Sequence, residues 1–256
     1  MNNPQVTVIV PSYNRPWMLG ECLKSVLAQD DVDWECVISD DGSTEDIQSV
    51  LPDDPRFRFV AAEHAGHTSV VLNRGIRAAR GQYMAVVADD DMLTPNSLRW
   101  RLDTLAGVGE SAFACGAAFI VGDRMTYDYA ASMVNYRAMP WQFSAIKNPD
   151  KPWLSVQGCS VLVSRDIMQR YGIYDEHPDM YFGQDRELWA RWCMQGVRAI
   201  HCGHPVTFWR QHGGQKTRTK TAEERDRKNK YRERILDERA KDITPENTQI
   251  LEANKE

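Results

Sequence analysis

Tyr83–Asp91 reads YMAVVADDD, and this stretch decides the architecture: an apolar run ends in three adjacent carboxylates, Asp89, Asp90 and Asp91, shortly before Pro95. Neighbouring like charges raise one another's pKa and repel, so a buried strand ends this way where positive charge meets it. A divalent cation is the simplest partner. Oxygen ligands favour Mn²⁺, Mg²⁺ or Ca²⁺ over zinc, and Mg²⁺-type sites combine one or two carboxylates with a substrate's phosphates. The competing reading is a solvated acidic turn in which Asp91 caps the helix that starts near Pro95.

Upstream of the triplet, strands and helices alternate. Val6–Val10 (VTVIV) is a continuous β-branched run stopped by Pro11-Ser12, the pattern of a strand buried on both faces. Trp17–Ala28 has Leu19, Cys22, Leu23, Val26 and Leu27 at helical spacing. A second strand, Glu35–Ile38, runs into Asp40-Asp41-Gly42-Ser43-Thr44, where Ser43 or Thr44 is expected to cap a helix through Leu51. Arg56–Val60 reads as the third strand, Ser69–Ala79 as a helix closing on Gly81, and Tyr83–Ala88 as the fourth strand. Such alternation predicts an α/β fold with a mostly parallel sheet flanked by helices, which binds ligands at the carboxyl ends of its strands. Pro11–Arg15, Asp40–Ser43 and Asp89–Asp91 all fall at such ends.

Composition narrows the function classes. A chain of 256 residues can bury a substantial core in one large domain or two joined halves. No apolar run reaches membrane-spanning length, and Met1–Gln5 is polar, without a signal-peptide pattern, so a cytoplasmic setting is expected. The six cysteines form no C-x-x-C pair, as expected of reduced core thiols. A net charge of −5 gives no global reason to bind nucleic acid. The absence of G-x-G-x-x-G and of a P-loop argues against dehydrogenases and P-loop NTPases.

Four ordered motifs then resemble a family: VTVIVPSYNR at Val6–Arg15 with Leu27-Ala28-Gln29 behind it, ISDDGST at Ile38–Thr44, NRGIRAARG at Asn73–Gly81, and Tyr83–Pro95. Together they resemble the nucleotide-binding half of a family 2 glycosyltransferase with the GT-A fold. Gln157–Ser160, Gly172–Glu176 (GIYDE), Gly183–Arg191 (GQDRELWAR) and Trp209–His212 (WRQH) are similar to that family's acceptor-side motifs. The likeness runs from about residue 5 to about residue 215. It implies a nucleotide-sugar half over residues 1–110, an acceptor-binding and catalytic half over 111–215, and a closing loop, charged helix and tail over 216–256.

The resemblance also implies roles. Pro11, Tyr13, Asn14 and Arg15 would line the nucleotide, with Tyr13 stacked on the base, Asp41 accepting its ring N–H and Asp40 beside it. Asp90 would hold the metal with His212, and Asp89 the ribose. Asp185 would be the general base that deprotonates an acceptor hydroxyl, and Gln157, Gly158, Gln184 and Trp153 would face donor and acceptor. Three positions depart from the pattern. Ala88 stands where an aspartate is common, Gln184 where a glutamate is usual, and Leu72 where many relatives carry arginine. Base recognition would then pass to another group, and His64 and His67, on either side of Gly66, are candidates.

The activity implied is inverting, Mn²⁺- or Mg²⁺-dependent transfer from a nucleotide sugar, with UDP the expected nucleotide. The rivals are a non-catalytic nucleotide-sugar-binding protein and a sugar nucleotidyltransferase, although the latter wants a glycine-rich basic loop and Pro11–Trp17 has no glycine. Tyr127, Tyr129, Tyr136, Trp141, Phe143 and Trp153 suit a sugar groove, a small core or a homo-oligomer interface equally. The acceptor stays open between glycan, lipid-linked sugar, protein, metabolite and modified nucleobase. Lys216, Arg218 and Lys220 are expected in a loop that closes over the donor, and Glu223–Lys241 in a solvated helix.

Overall fold

β1 (Val6–Ser12) is an interior strand of the sheet, and its alternation builds the layers on either side. Successive strand side chains point to opposite faces. Val6, Val8 and Val10 therefore join one core with Leu19, Leu23 and Val26 of α1 (Pro16–Leu27) and Leu98 and Leu102 of α3 (Ser97–Leu105). Ile9 faces the other way, into a core with Leu72 and Ile76 of α2 (Thr68–Ala78) and Trp189 and Trp192 of α6 (Gln184–Met194). Full burial of each such aliphatic side chain contributes about 1.5–3 kcal/mol. This computed structural model describes residues 3–108, 111–132, 141–142, 156–180, 183–215 and 221–240.

β1 pairs in parallel with β2 (Trp34–Asp40) and β4 (Tyr83–Val86), and β2 pairs in parallel with β3 (Phe57–Ala61). β4 then meets β8 (Leu162–Ser164) antiparallel, and β8 meets β6 (Ala112–Gly122). β6 runs parallel to β9 (Arg198–Gln211), which pairs with β5 (Met92–Leu93). β7 (Trp141–Gln142) attaches to β6. The order β3-β2-β1-β4-β8-β6-β9-β5 makes one continuous sheet of the two halves read from the sequence. The remaining helices are α4 (Tyr127–Ser132), α5 (Arg165–Tyr171) and α7 (Ala222–Ala240).

Several motif residues brace this frame. Gln29, buried beyond α1, donates to Ser25 O at 3.0 Å and Thr94 O at 2.9 Å and accepts from Leu98 N, tying α1 to the segment behind the carboxylate triplet. Asn73 exchanges hydrogen bonds with the backbone of Tyr174 and donates to Glu176 Oε1 at 2.8 Å, docking α2 onto the GIYDE segment. Leu72 lies in the apolar core, so its side chain packs α2 onto the sheet.

The helix expected through Leu51 does not form; a single 3-10 turn, Gln48–Val50, takes its place. The amides that follow Gly42 are held in a loop by Asp40, three residues back, and by Asn14, about thirty residues back. Ser43 N donates to Asp40 Oδ2 at 2.9 Å, and Thr44 N and Glu45 N both donate to Asn14 Oδ1. All six cysteines are free, as expected.

Candidate active site

The carboxyl ends of β1, β2 and β4 share one rim, since Ser12 pairs with Asp40 and Val87 N donates to Ile9 O just before the triplet. There the three carboxylates diverge. Asp89 accepts from Arg15 Nη1 at 3.0 Å and from Tyr13 N at 3.3 Å. Asp90 Oδ2 lies 2.9 Å from Arg15 Nη1 and 3.0 Å from His212 Nε2. Asp91 Oδ1 accepts from the Arg210 amide at 2.9 Å, while Arg210 Nε donates to Asp90 O at 2.8 Å.

One sequence expectation is corrected here. Asp91 does not cap α3, because its carboxylate is spent on β9 and the residue ahead of α3 is Asn96, whose side chain makes no capping bond. The positive charge meeting the triplet is supplied in part by the chain itself, through Arg15. Burial and the Asp90 charge push the Asp89 carboxyl up to about 6 against the pull of Arg15. Burial and Asp90 likewise hold Asp91 well above the usual carboxylate range, and Cys159 lies against it. Burial works against the Arg15 cation, but the three aspartates outweigh it and its pKa is raised.

Beside this cluster Tyr13, 38% exposed, stacks on His64 with ring centroids 4.3 Å apart. Asp41 accepts from Ala65 N at 2.9 Å and Gly66 N at 3.1 Å, and His64 Nδ1 stands 3.0 Å from its carboxylate. Gly42, at φ +74°, lets the chain turn under this loop, where a Cβ would come within 2.8 Å of His64 N. Tyr13, Asp41 and His64 thus form one group. His67 stands apart, before α2, with Nε2 at 3.1 Å from His177 O. Pro11 lies within β1, Asn14 serves the Thr44–Glu45 turn, and the carboxylate of Asp40 holds Ser43.

Asp185 occupies the first turn of α6 behind Gly183, half-buried, and accepts from Arg186 N at 2.9 Å. Burial raises its pKa, opposed chiefly by that Arg186 amide. It does not cap the helix, because the cap position is Gly183. The turn Gly158–Ser160 joins this carboxylate to the triplet. A Cβ on Gly158 would stand 3.1 Å from Asp185 Oδ2, and the next side chain, Cys159, meets Asp91. Gln157 Oε1 is buried without a hydrogen-bond partner among the described residues. Gln184 adjoins Asp185, whereas Trp153, Tyr136, Phe143, Lys216, Arg218 and Lys220 lie outside the described residues.

The family model of glycosyl transferase family 2 matches residues 7–172. The chain belongs to that family. It is 37% identical over 101 residues to the putative colanic acid biosynthesis glycosyl transferase WcaA of Escherichia coli, covering 38% of this chain and 36% of the relative. It is 24% identical over 219 residues to the uncharacterized glycosyltransferase RP339 of Rickettsia prowazekii, covering 85% of this chain and 67% of that one. Among solved structures, S. aureus TarS 1-349 in complex with UDP-GlcNAc superposes with TM-score 0.64 at 17% identity, covering 85% of this chain and 62% of that one. The mannosyltransferase PcManGT from Pyrobaculum calidifontis, in complex with GDP-Man and Mn²⁺, gives 0.55 at 20% identity, covering 80% and 55%. The fold is thus GT-A. The chain spans about a third of the WcaA relative's length, and the family match ends before Asp185 and His212.

Enzymes of this family imply a divalent cation, and the donor set here fits one. Asp90 Oδ2 and His212 Nε2 already converge within 3.0 Å. Among the described residues no third His, Cys, Asp or Glu completes a cage. Two protein ligands suit a Mg²⁺- or Mn²⁺-type ion that takes its remaining oxygens from a diphosphate and water. Sequence reasoning missed Arg210 as an organiser of the triplet, although it stands inside the WRQH motif. Cys159, although inside the Gln157–Ser160 motif, was missed too, as was the docking of α7, whose charge pattern signals a solvated helix.

Proposed function

We propose that this family 2 member is an inverting, cation-assisted glycosyltransferase that moves a sugar from a UDP-sugar to a hydroxyl acceptor. One observation carries the reading: Gly158 lies against Asp185 while Cys159 lies against Asp91, so a two-residue step links a candidate base to the carboxylate rim. Half-buried Asp185, with its raised pKa, suits a group that must accept a proton. The donor's base would stack on Tyr13, with Asp41 accepting its ring N–H and Asp89 the ribose hydroxyls. The diphosphate would lie toward Asp90, His212 and Arg15.

In the reaction Asp185 takes the proton of the acceptor hydroxyl as that oxygen bonds to the anomeric carbon. The bond from that carbon to the β-phosphate oxygen breaks on the opposite face, and its electron pair leaves with the nucleoside diphosphate. A divalent cation at Asp90 and His212 would supply charge neutralisation for that leaving group. Gln157 Oε1, buried and unpaired among the described residues, would receive a sugar hydroxyl. The free cysteines agree with a cytoplasmic setting. Among the described residues no helix is long and apolar enough to cross a membrane.

The test pairs a donor panel with one variant. UDP-, dTDP- and GDP-sugars are incubated with Mn²⁺ and nucleoside diphosphate release is measured, with UDP-sugar expected to turn over fastest. Asp185→Asn should keep donor binding by calorimetry and lose about 10²–10⁴-fold in turnover. Near-wild-type turnover in the Asn variant would remove Asp185 as the base. Firm nucleotide-sugar binding with no release from any donor would favour a non-catalytic binding protein.

A further inference from the structure

α7 reads AEERDRKNKYRERILDERA, a helix whose charges would suit full solvation, yet it docks through defined contacts. The Tyr231 ring stacks on His177 with centroids 4.5 Å apart and planes 10° from parallel. Arg227 Nε lies 3.8 Å from Asp179 Oδ1. Arg232 lies against Gly183, immediately before α6, and Asn229 Oδ1 holds its Nη2 at 3.0 Å. A Cβ at Gly183 would collide with Arg232 Nη1, and Gly183 has φ +76°. The positive φ favours glycine here, and any side chain would also displace the end of Arg232.

This is a costly place for a guanidinium. The first turn of a helix disfavours positive charge, and burial with the Arg186 charge nearby lowers the pKa of Arg232. The negative charges that offset these costs are Asp185 and Glu233. A stability role alone would be better served by a neutral side chain. A cation kept beside the candidate base has a clear electrostatic effect: it favours the ionised carboxylate.

We propose that α7 is a strap over the start of α6 and that its Arg232 is a positioning residue for Asp185, keeping the carboxylate ionised beside Gly158. This rests on the assignment of Asp185 as the base. Among the described residues, the groups facing Asp185 are Arg186 from its own helix, Gly158 from the 3-10 turn, Tyr174 from the segment after α5, and Arg232 from α7. Buried Tyr174 keeps its proton, its pKa pushed up by burial and by Asp185. Arg186 is exposed, so solvent screens its charge, whereas Arg232 is half-buried.

The test is the pH dependence of UDP-sugar turnover, together with a ¹³C NMR titration of the Asp185 carboxyl, in wild type, Arg232→Gln, Arg232→Lys and Tyr231→Ala. In Arg232→Gln the Asp185 midpoint and the acid limb of kcat/KM should both rise by about one pH unit, a roughly tenfold loss below the limb. The alkaline plateau and donor KM should stay near wild type. Arg232→Lys should restore the limb, and Tyr231→Ala, which loosens the strap, should shift it in the same direction as Arg232→Gln. An unshifted titration in Arg232→Gln, or an equal loss at every pH, would overturn the strap while leaving Asp185 as base. Asp185→Asn with full turnover would instead overturn the base assignment itself.

Discussion

Arg15 Nη1 stands 2.9 Å from Asp90 Oδ2 while also touching Asp89 at 3.0 Å, so a side-chain cation bridges the two carboxylates assigned to metal and ribose. Its other nitrogen donates to Gly214 O at 3.1 Å, beyond His212. A divalent ion reaching Asp90, as proposed, would compete with a guanidinium, and the β9 end would be tied to the outcome.

The first prediction follows from that competition. Wild-type affinity for UDP should rise when Mn²⁺ is supplied, and Asp90→Ala should remove most of the rise. Arg15→Gln should bind Mn²⁺ alone more tightly than wild type and UDP less tightly. Calorimetry with and without EDTA reads both effects. Equal wild-type UDP affinity in the two conditions would exclude metal bridging, and unchanged Mn²⁺ affinity in Arg15→Gln would exclude the competition.

The base pocket gives the second prediction. Tyr13 keeps part of its ring exposed although His64 stacks on it, and Asp41 anchors His64 from below. Aromatic stacking on a base is worth about 1–3 kcal/mol, so Tyr13→Ala should weaken UDP by that amount with thermal stability little changed. Intact binding with a lowered Tm would make Tyr13 a packing residue.

The parallel half was legible because β1, β2 and β4 are buried on both faces and announce themselves as apolar runs, each ending in residues of the rim. Where prediction failed, contacts from distant segments had entered, alone or beside a local one. Asn14 and Asp40 take the amides that a helix after Ser43 would have presented. Asp91 reaches across to Arg210 instead of forward to α3. β5, two residues long, forms because β9 lies beside it, and no periodicity can show in so short a strand. The docking of α7 rests on Tyr231 and Arg232 amid many charges, which a helical-period reading averages away. The roles of Asp185 and His212 came from family likeness; their positions beside Gly158 and Asp90 came from the fold.

The third prediction concerns the brace between α2 and the segment after α5. Asn73 is buried and its carboxamide satisfies both the N–H and the C=O of Tyr174. Alanine there would leave those groups unpaired in the interior, at about 1–3 kcal/mol each less any relaxation. Asn73→Ala should therefore destabilise the protein by roughly 3 kcal/mol, read from the urea midpoint. A loss below about 1 kcal/mol would mean that water reaches the site.

The last prediction is a pH dependence set by Glu35, buried in β2 at the far end of the sheet from the rim. Burial alone would raise its pKa, but hydrogen bonds from Arg80, Thr7 and Arg58 prevail and hold it below the ordinary glutamate value. The unfolded chain then takes up the proton more readily than the folded one between the two pKa values. The stabilisation is complete above the ordinary value of about 4.3 and is lost as pH falls through the lowered one. Side chains of Arg58 and Arg80 are 33% and 53% exposed, so water can recover them when Glu35 is removed. Glu35→Gln should accordingly cost only about 2 kcal/mol near neutral pH, in line with charged hydrogen bonds whose partners remain partly hydrated. That gap should narrow as both proteins are titrated down from the ordinary glutamate value toward the lowered one, because the linked stabilisation is lost over that window. Urea unfolding across the series reads it, and a gap that stays constant with pH would assign the loss to packing rather than to the carboxylate's charge.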